Sequence, residues 1–223
     1  MMRRQQDAVD ALVLAEILAI RLCHDLSGQV NALVGAIEEL QGGVDHDPEA
    51  LDLASEAGLA LMHRLRLVRA AWGRGGGPMS VAECCSLIGH VSRRGIRMDL
   101  DGLDGTRSFA PSAARLTLNV LMLAAESLPG GGVVEVHGQP ELDLVVRITG
   151  PRAAWPTGLA GMFADPAAAM EELRLGDPVA AARSMQAPLT ALIAHATGQR
   201  ISMLLGPHSE PAPPLLVGLA PLH

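Results

Sequence analysis

The chain has 223 residues, 49% of them apolar, and a formal net charge of −7 at pH 7. That is enough apolar material for one large or two small packed domains, and the acidic balance argues against a nucleic-acid-binding surface. All 17 basic residues are arginine, so a P-loop lysine, a kinase strand lysine and Schiff-base chemistry are excluded.

The opening stretch "MMRRQQDAVDALVLAEILAI" is basic and then apolar, but Asp10 and Glu16 interrupt it as a leader. No segment reaches the roughly 20 uninterrupted apolar residues that span a bilayer. Cys23, Cys84 and Cys85 suit neither a disulfide framework nor a zinc knuckle. The expectation is a soluble, cytoplasmic protein with no membrane and no nucleic-acid partner.

From about Asp7 to Gln41 there is no proline, and "GGVDHDP" then breaks the pattern and offers a new N-cap and first-turn proline, Asp47 and Pro48. This punctuation predicts an antiparallel helical hairpin. Leu26, Val30, Leu33, Ile37 and Leu40 form one seam, and Leu51, Ala54, Gly58, Leu61, Leu65, Val68 and Trp72 form the other. Facing each other, the seams leave Leu12, Leu14, Ile17, Leu18 and Ile20 uncovered. A second copy is the expected cover, giving a homodimer with a four-helix bundle.

The run "GRGGGP" at 73–78 reads as a linker and divides the chain into units 1–75 and 76–223. The second unit reads as α+β. "SVAECCSLIGHVSRR" is a helix capped by Ser80, "GIRMDLDGL" a strand, "PSAARLTLNVLMLAAESL" a buried helix, and "VVEVHG" with "LDLVVRITG" a strand pair. "PLTALIAHATGQRISMLLG" reads as helix, glycine turn and strand, and "PLLVGLAP" as a last strand. Residues 151–183, rich in Ala, Pro and Gly, are assigned to no element. The architecture is one layer of helices on a mostly antiparallel sheet.

One residue resists a core reading. On the helical wheel His24 lies roughly 160° from the first seam, and Gly28, Asn31 and Gly35 share its face. The imidazole is expected to be exposed over a strip of small residues. Cys23 and Asp25 point to different sides of the helix, which excludes a metal site there, and no G-x-S-x-G elbow supports a hydrolase. An inert surface histidine is one reading. The other is nucleophilic: a neutral imidazole that takes up a phosphoryl group, with Asp25 orienting the ring.

"RLCHDLSGQV" resembles the phosphoacceptor box of histidine kinase dimerisation domains, and with its preceding cysteine it is most similar to the ChpT-type histidine phosphotransferases. The resemblance extends over nearly the whole chain and implies a helical hairpin followed by an α/β sandwich like a degenerate kinase ATPase domain. "LTLNVLMLAAESL" keeps Asn119 at the first asparagine of the kinase pattern, while Leu123 replaces the second, which helps hold Mg²⁺. The lid glycines and the D-x-G-x-G motif are missing. Gln29 stands where kinases carry proline, and Gly28 where a water-orienting Thr or Asn is common, so phosphatase activity is expected to be weak.

The resemblance implies a histidine phosphotransferase in a bacterial phosphorelay. His24 would shuttle a phosphoryl group from the receiver of a hybrid histidine kinase to response-regulator receivers. His24 and Asp25 are the catalytic candidates, and Arg21, Gly28, Asn31, Gly35, Arg64, Arg66 and Arg69 the partner-docking ones; a solvated helix face is the other reading for the last three. No cofactor or metal would be bound by this chain, because the receiver brings Mg²⁺ and a lysine. The rival readings are an ATP-using kinase core with divergent nucleotide boxes and a non-catalytic, dimeric receiver-docking adaptor.

Overall fold

The computed structural model describes residues 2–42, 48–89, 95–204 and 212–220. Two helices open the chain, α1 (Met2–Gly42) and α2 (Pro48–Trp72). The predicted turn at 43–47 lies outside the described residues. After the exposed irregular stretch at 73–78 come β1 (Met79–Ser80), α3 (Val81–Gly89), β2 (Ile96–Gly102), β3 (Ser108–Phe109) and α4 (Pro111–Glu126). The Ser80 hydroxyl accepts from the Glu83 N–H, the cap that the sequence announces.

The remainder is β4 (Gly132–Gln139), β5 (Asp143–Thr149), α5 (Leu159–Ala164), α6 (Pro166–Arg174), α7 (Pro178–Ser184), α8 (Gln186–Thr197), β6 (Arg200–Met203) and β7 (Leu215–Gly218). Residues 151–183 thus form three short helices. Two of them begin on an Asp-Pro pair, with Asp165 and Asp177 accepting from backbone N–H groups of the first turn. Gly198, at φ +68°, ends α8 in the left-handed conformation that a side chain would strain.

Five strands form one sheet in the order β2-β4-β5-β7-β6, and β1 pairs with β3. Only β2 and β4 run parallel in the large sheet, with α4 as the crossover that a parallel pair needs. Val134 pairs with Ile148, Val136 with Val146 and Leu144 with Val217, so one face is apolar throughout and shares a core with α4. The sheet is mixed and mainly antiparallel, as the sequence predicts. No helix among the described residues is long and apolar enough to cross a membrane.

The packing of α1 departs from expectation. With 41 residues against 25 it runs about 60 Å beside a partner of about 37 Å. Its N-terminal half therefore overhangs the hairpin and lies on α6 and α7. Ile17 is buried in a core shared with Leu67 and Ala71 of α2, Leu173 of α6 and Ala181 and Ala182 of α7, with Val13, Leu14, Leu18 and Ile20 packed against it, and Arg174 of α6 forms an ion pair with Asp10. Of the five positions expected to be covered by a second copy, only Leu12 stays exposed; the rest of the same chain covers the others.

Within the hairpin, close contact runs through small side chains. Ala36, Ala50 and Ala57 are buried, whereas Val30 and Ile37 of the first seam and Leu51 and Leu65 of the second are 40–60% exposed. The seams lie beside the helix contact and leave an open apolar flank.

Candidate functional site

His24 sits in the middle of α1 with its side chain 66% exposed. Gly28, Asn31 and Gly35 continue its face and are exposed too, and a Cβ added at Gly28 or Gly35 would meet nothing within 4 Å. The strip is an open floor. Gly28 does not serve a close helix contact within the chain.

In the other direction the same face is occupied. Ile20 and Ile17, one and two turns before His24, join the second-domain core, and Arg21 donates from Nη1 to the carbonyls of Ala182 (3.1 Å) and Arg183 (3.2 Å). His24 thus occupies the first exposed turn after α1 leaves the second domain.

Asp25 is more enclosed than its neighbour, 13% exposed. Its Oδ1 lies 3.4 Å from His24 Nδ1, and its Oδ2 accepts from Arg21 Nε at 2.9 Å and from Arg64 Nη2. Arg64 comes from α2, level with His24 as counting from the turn predicts. Arg66 and Arg69 leave α2 about 200° and 140° around the helix from Arg64 and are exposed. Arg21, expected at a partner surface, is instead engaged within the chain.

The Arg21 guanidinium also donates from Nη2 to Glu126 Oε1, at the end of α4. No sequence pattern singled out this glutamate. Burial alone would raise the Asp25 pKa, but the Arg64 charge and the Arg21 hydrogen bond outweigh it and hold the carboxyl below its ordinary value. For Glu126 burial dominates and pushes the carboxyl up, Arg21 offsetting it only in part. Two acids on one guanidinium are thus displaced in opposite directions.

Asn119, the asparagine kept from the kinase pattern, is fully buried and used internally. Its two amide hydrogens go to the carbonyls of Ala71 (2.7 Å) and Arg115 (2.8 Å), and its Oδ1 accepts from Gln186 at 3.1 Å. Arg115 donates to the carbonyls of Ala71 and Trp72. The last turn of α2, whose carbonyls lack helical partners, is therefore capped from α4. Leu123 is buried with Leu159, Met162, Ala187 and Ala191. Asn119→Leu should remove three hydrogen bonds, those to the Ala71 and Arg115 carbonyls and the one from Gln186, and lower stability by about 3 kcal/mol, read by urea unfolding; an unchanged midpoint would show that the tether does not hold the two helices together.

Among the described residues no group of three or more His, Cys, Asp or Glu is placed to hold a metal ion. Nδ1 of His24 is turned toward a carboxylate, and a neutral imidazole nitrogen is a group chemically able to take up a phosphoryl group. Comparison with known proteins leads to the same class.

The profile of the histidine phosphotransferase C-terminal domain matches residues 81–208, more than half of the chain, and the chain belongs to that family. It is 28% identical over 202 residues to the protein phosphotransferase ChpT of Brucella abortus (strain 2308), an alignment covering 87% of this chain and 91% of that one. The solved structure of a bacterial phosphotransferase superposes with a TM-score of 0.67 at 22% identity, over 93% of this chain and 96% of the other. The protein is a phosphotransferase of the histidine type.

Proposed function

We propose that this phosphotransferase uses His24 as the phosphoacceptor of a two-component phosphorelay, standing between the receiver of a hybrid kinase and the receivers of response regulators. The observation that supports this most is the His24 ring itself, exposed over an open strip with Nδ1 directed at Asp25 Oδ1. In the neutral tautomer with the proton on Nδ1, the Nε2 lone pair attacks the phosphorus of an aspartyl phosphate. The N–P bond forms as the P–O bond breaks, and the aspartyl carboxylate leaves as the anion. The ring becomes cationic, keeps its Nδ1 proton, and shares the charge with Asp25. Transfer to a second receiver is the same exchange in reverse and needs no further reactant.

Positioning and charge neutralisation are the main demands of such a step. By the family resemblance the receiver would contribute Mg²⁺ and a lysine, and this chain the imidazole. The phosphoryl group would come from a partner and not from nucleotide: both amide hydrogens of Asn119 are already used, and Leu123 fills its surroundings with carbon. The test is a chase from receiver domains of the same organism labelled with acetyl [³²P]phosphate. Label should reach wild-type protein without ATP. Label acquired from ATP alone would make the protein a kinase, and label from neither source would leave an adaptor.

Homodimerisation belongs to the same proposal. Val30, Val34 and Ile37 share an arc of about 60° on α1, and Leu51, Gly58, Met62 and Leu65 an arc of similar width on α2. Apolar stripes of this kind suit a second hairpin. The α1 stripe lies about 120° from His24, so the second copy would leave the imidazole free. Val34→Glu or Met62→Glu should give a folded monomer, since both side chains are exposed in one copy. Light scattering that finds the wild type monomeric would refute the dimer.

A further inference from the structure

We infer that Glu126 is a positioning residue for phosphotransfer: by holding Arg21 it keeps the Asp25 carboxylate turned so that Oδ1 meets His24 Nδ1. The inference rests on His24 as the phosphoacceptor and gives the second domain a part in the site.

Asp25 has two carboxylate oxygens with different duties. Oδ2 accepts from both Arg21 and Arg64, which leaves Oδ1 to the imidazole. If the carboxylate turned, the ring would lose its partner, and the proton could move to the nitrogen that must attack. What stops the turn is the fixity of the guanidinium groups. An Arg–Asp pair one turn apart on a helix contributes little by itself and does not fix two side chains. Arg21 is held differently, for its planar fork has four acceptors, and three belong to the second domain: Glu126 Oε1 and the carbonyls of Ala182 and Arg183.

Glu126 supplies the one charged acceptor of those three. Its location opposes a carboxylate twice over. It is the last residue of α4, where the helix dipole favours cations, and burial pushes its carboxyl up. The groups facing it are Arg21, Asp25 and Arg64. The Glu126 side chain is a third exposed, and it holds Arg21 through Nη2 while Asp25 takes Nε.

The measurement is the tautomer ratio of His24 in the full-length protein, from ¹⁵N NMR, with the signal assigned by its loss in His24→Ala. Glu126→Ala should shift the ratio away from Nδ1–H about threefold or more and slow transfer from a labelled receiver about tenfold. Glu126→Gln, which keeps an acceptor for Arg21, should restore most of both. Should Glu126→Ala fail to fold, Arg21→Lys serves instead, since an ammonium cannot satisfy four acceptors from one plane, and the same tautomer shift is expected. An unchanged ratio in the folded variant overturns the inference even if transfer falls, because a merely structural Glu126 predicts that result. Wild-type His24 that takes no label overturns the phosphoacceptor reading and this one with it, whereas labelled His24 with an unmoved ratio overturns this one alone.

Discussion

His24→Ala is expected to abolish phosphoryl uptake from any receiver while leaving the protein folded. The side chain is two-thirds exposed, and among the described residues its polar contact is the 3.4 Å approach to Asp25, which keeps both arginines when the ring is removed. A change of this kind costs within about 0.5 kcal/mol, so the melting temperature should stay near that of wild type. Another histidine could substitute only if it stood in line with phosphorus and the leaving carboxylate. Residual labelling of a folded His24→Ala protein, mapped to another residue by mass spectrometry, would move the phosphoacceptor elsewhere.

The second large effect concerns the floor beside the ring. Gly28→Phe should slow transfer in both directions about a hundredfold, since displacing the receiver by about 1 Å is enough to spoil the geometry. Its stability should move the other way. Glycine inside a helix costs up to about 1 kcal/mol relative to better helix formers, and a Cβ at Gly28 meets nothing within 4 Å. The variant is therefore expected to melt at or above the wild-type temperature. Gly28→Ala, stabilised but not bulky, should transfer almost normally. Wild-type transfer in Gly28→Phe would show that the receiver approaches from another side.

The hairpin was legible because Gly-Gly and Asp-Pro punctuate its turn, and the exposure of His24 because a helical wheel needs only spacing. Alternation in "VVEVHG" and "LDLVVRITG" likewise announced a strand pair, in which Val134 meets Ile148. The wheel could say that Ile17 and Leu18 need cover, but not that the cover is α6 and α7, since periodicity records a buried face and not its occupant. Those helices carry the same Asp-Pro start that revealed α2, at 165–166 and 177–178, but alanine-rich bodies give little amphipathic contrast. Glu126 escaped because its partner is 105 residues away in sequence. Asn119 was recognised by likeness to a nucleotide-binding pattern, whereas its hydrogen bonds tie two helices together, a use that no motif announces.

The length of α1 has a mechanical meaning. One unbroken rod is clamped twice, along residues 10–21 by the second domain and along its later turns by α2. Helices resist bending and twisting far better than loops do, so a small rotation of one clamped body against the other cannot dissipate in a flexible joint there. The strain is carried by the turns that both bodies grip, and those turns hold the imidazole and its carboxylate, with Arg21 fastened to α4 and α7 and Asp25 to Arg64 of α2. A receiver that docks off-centre and torques the bundle would therefore register its misfit at the reacting atoms first, making the rod a gauge of how well the incoming partner is seated.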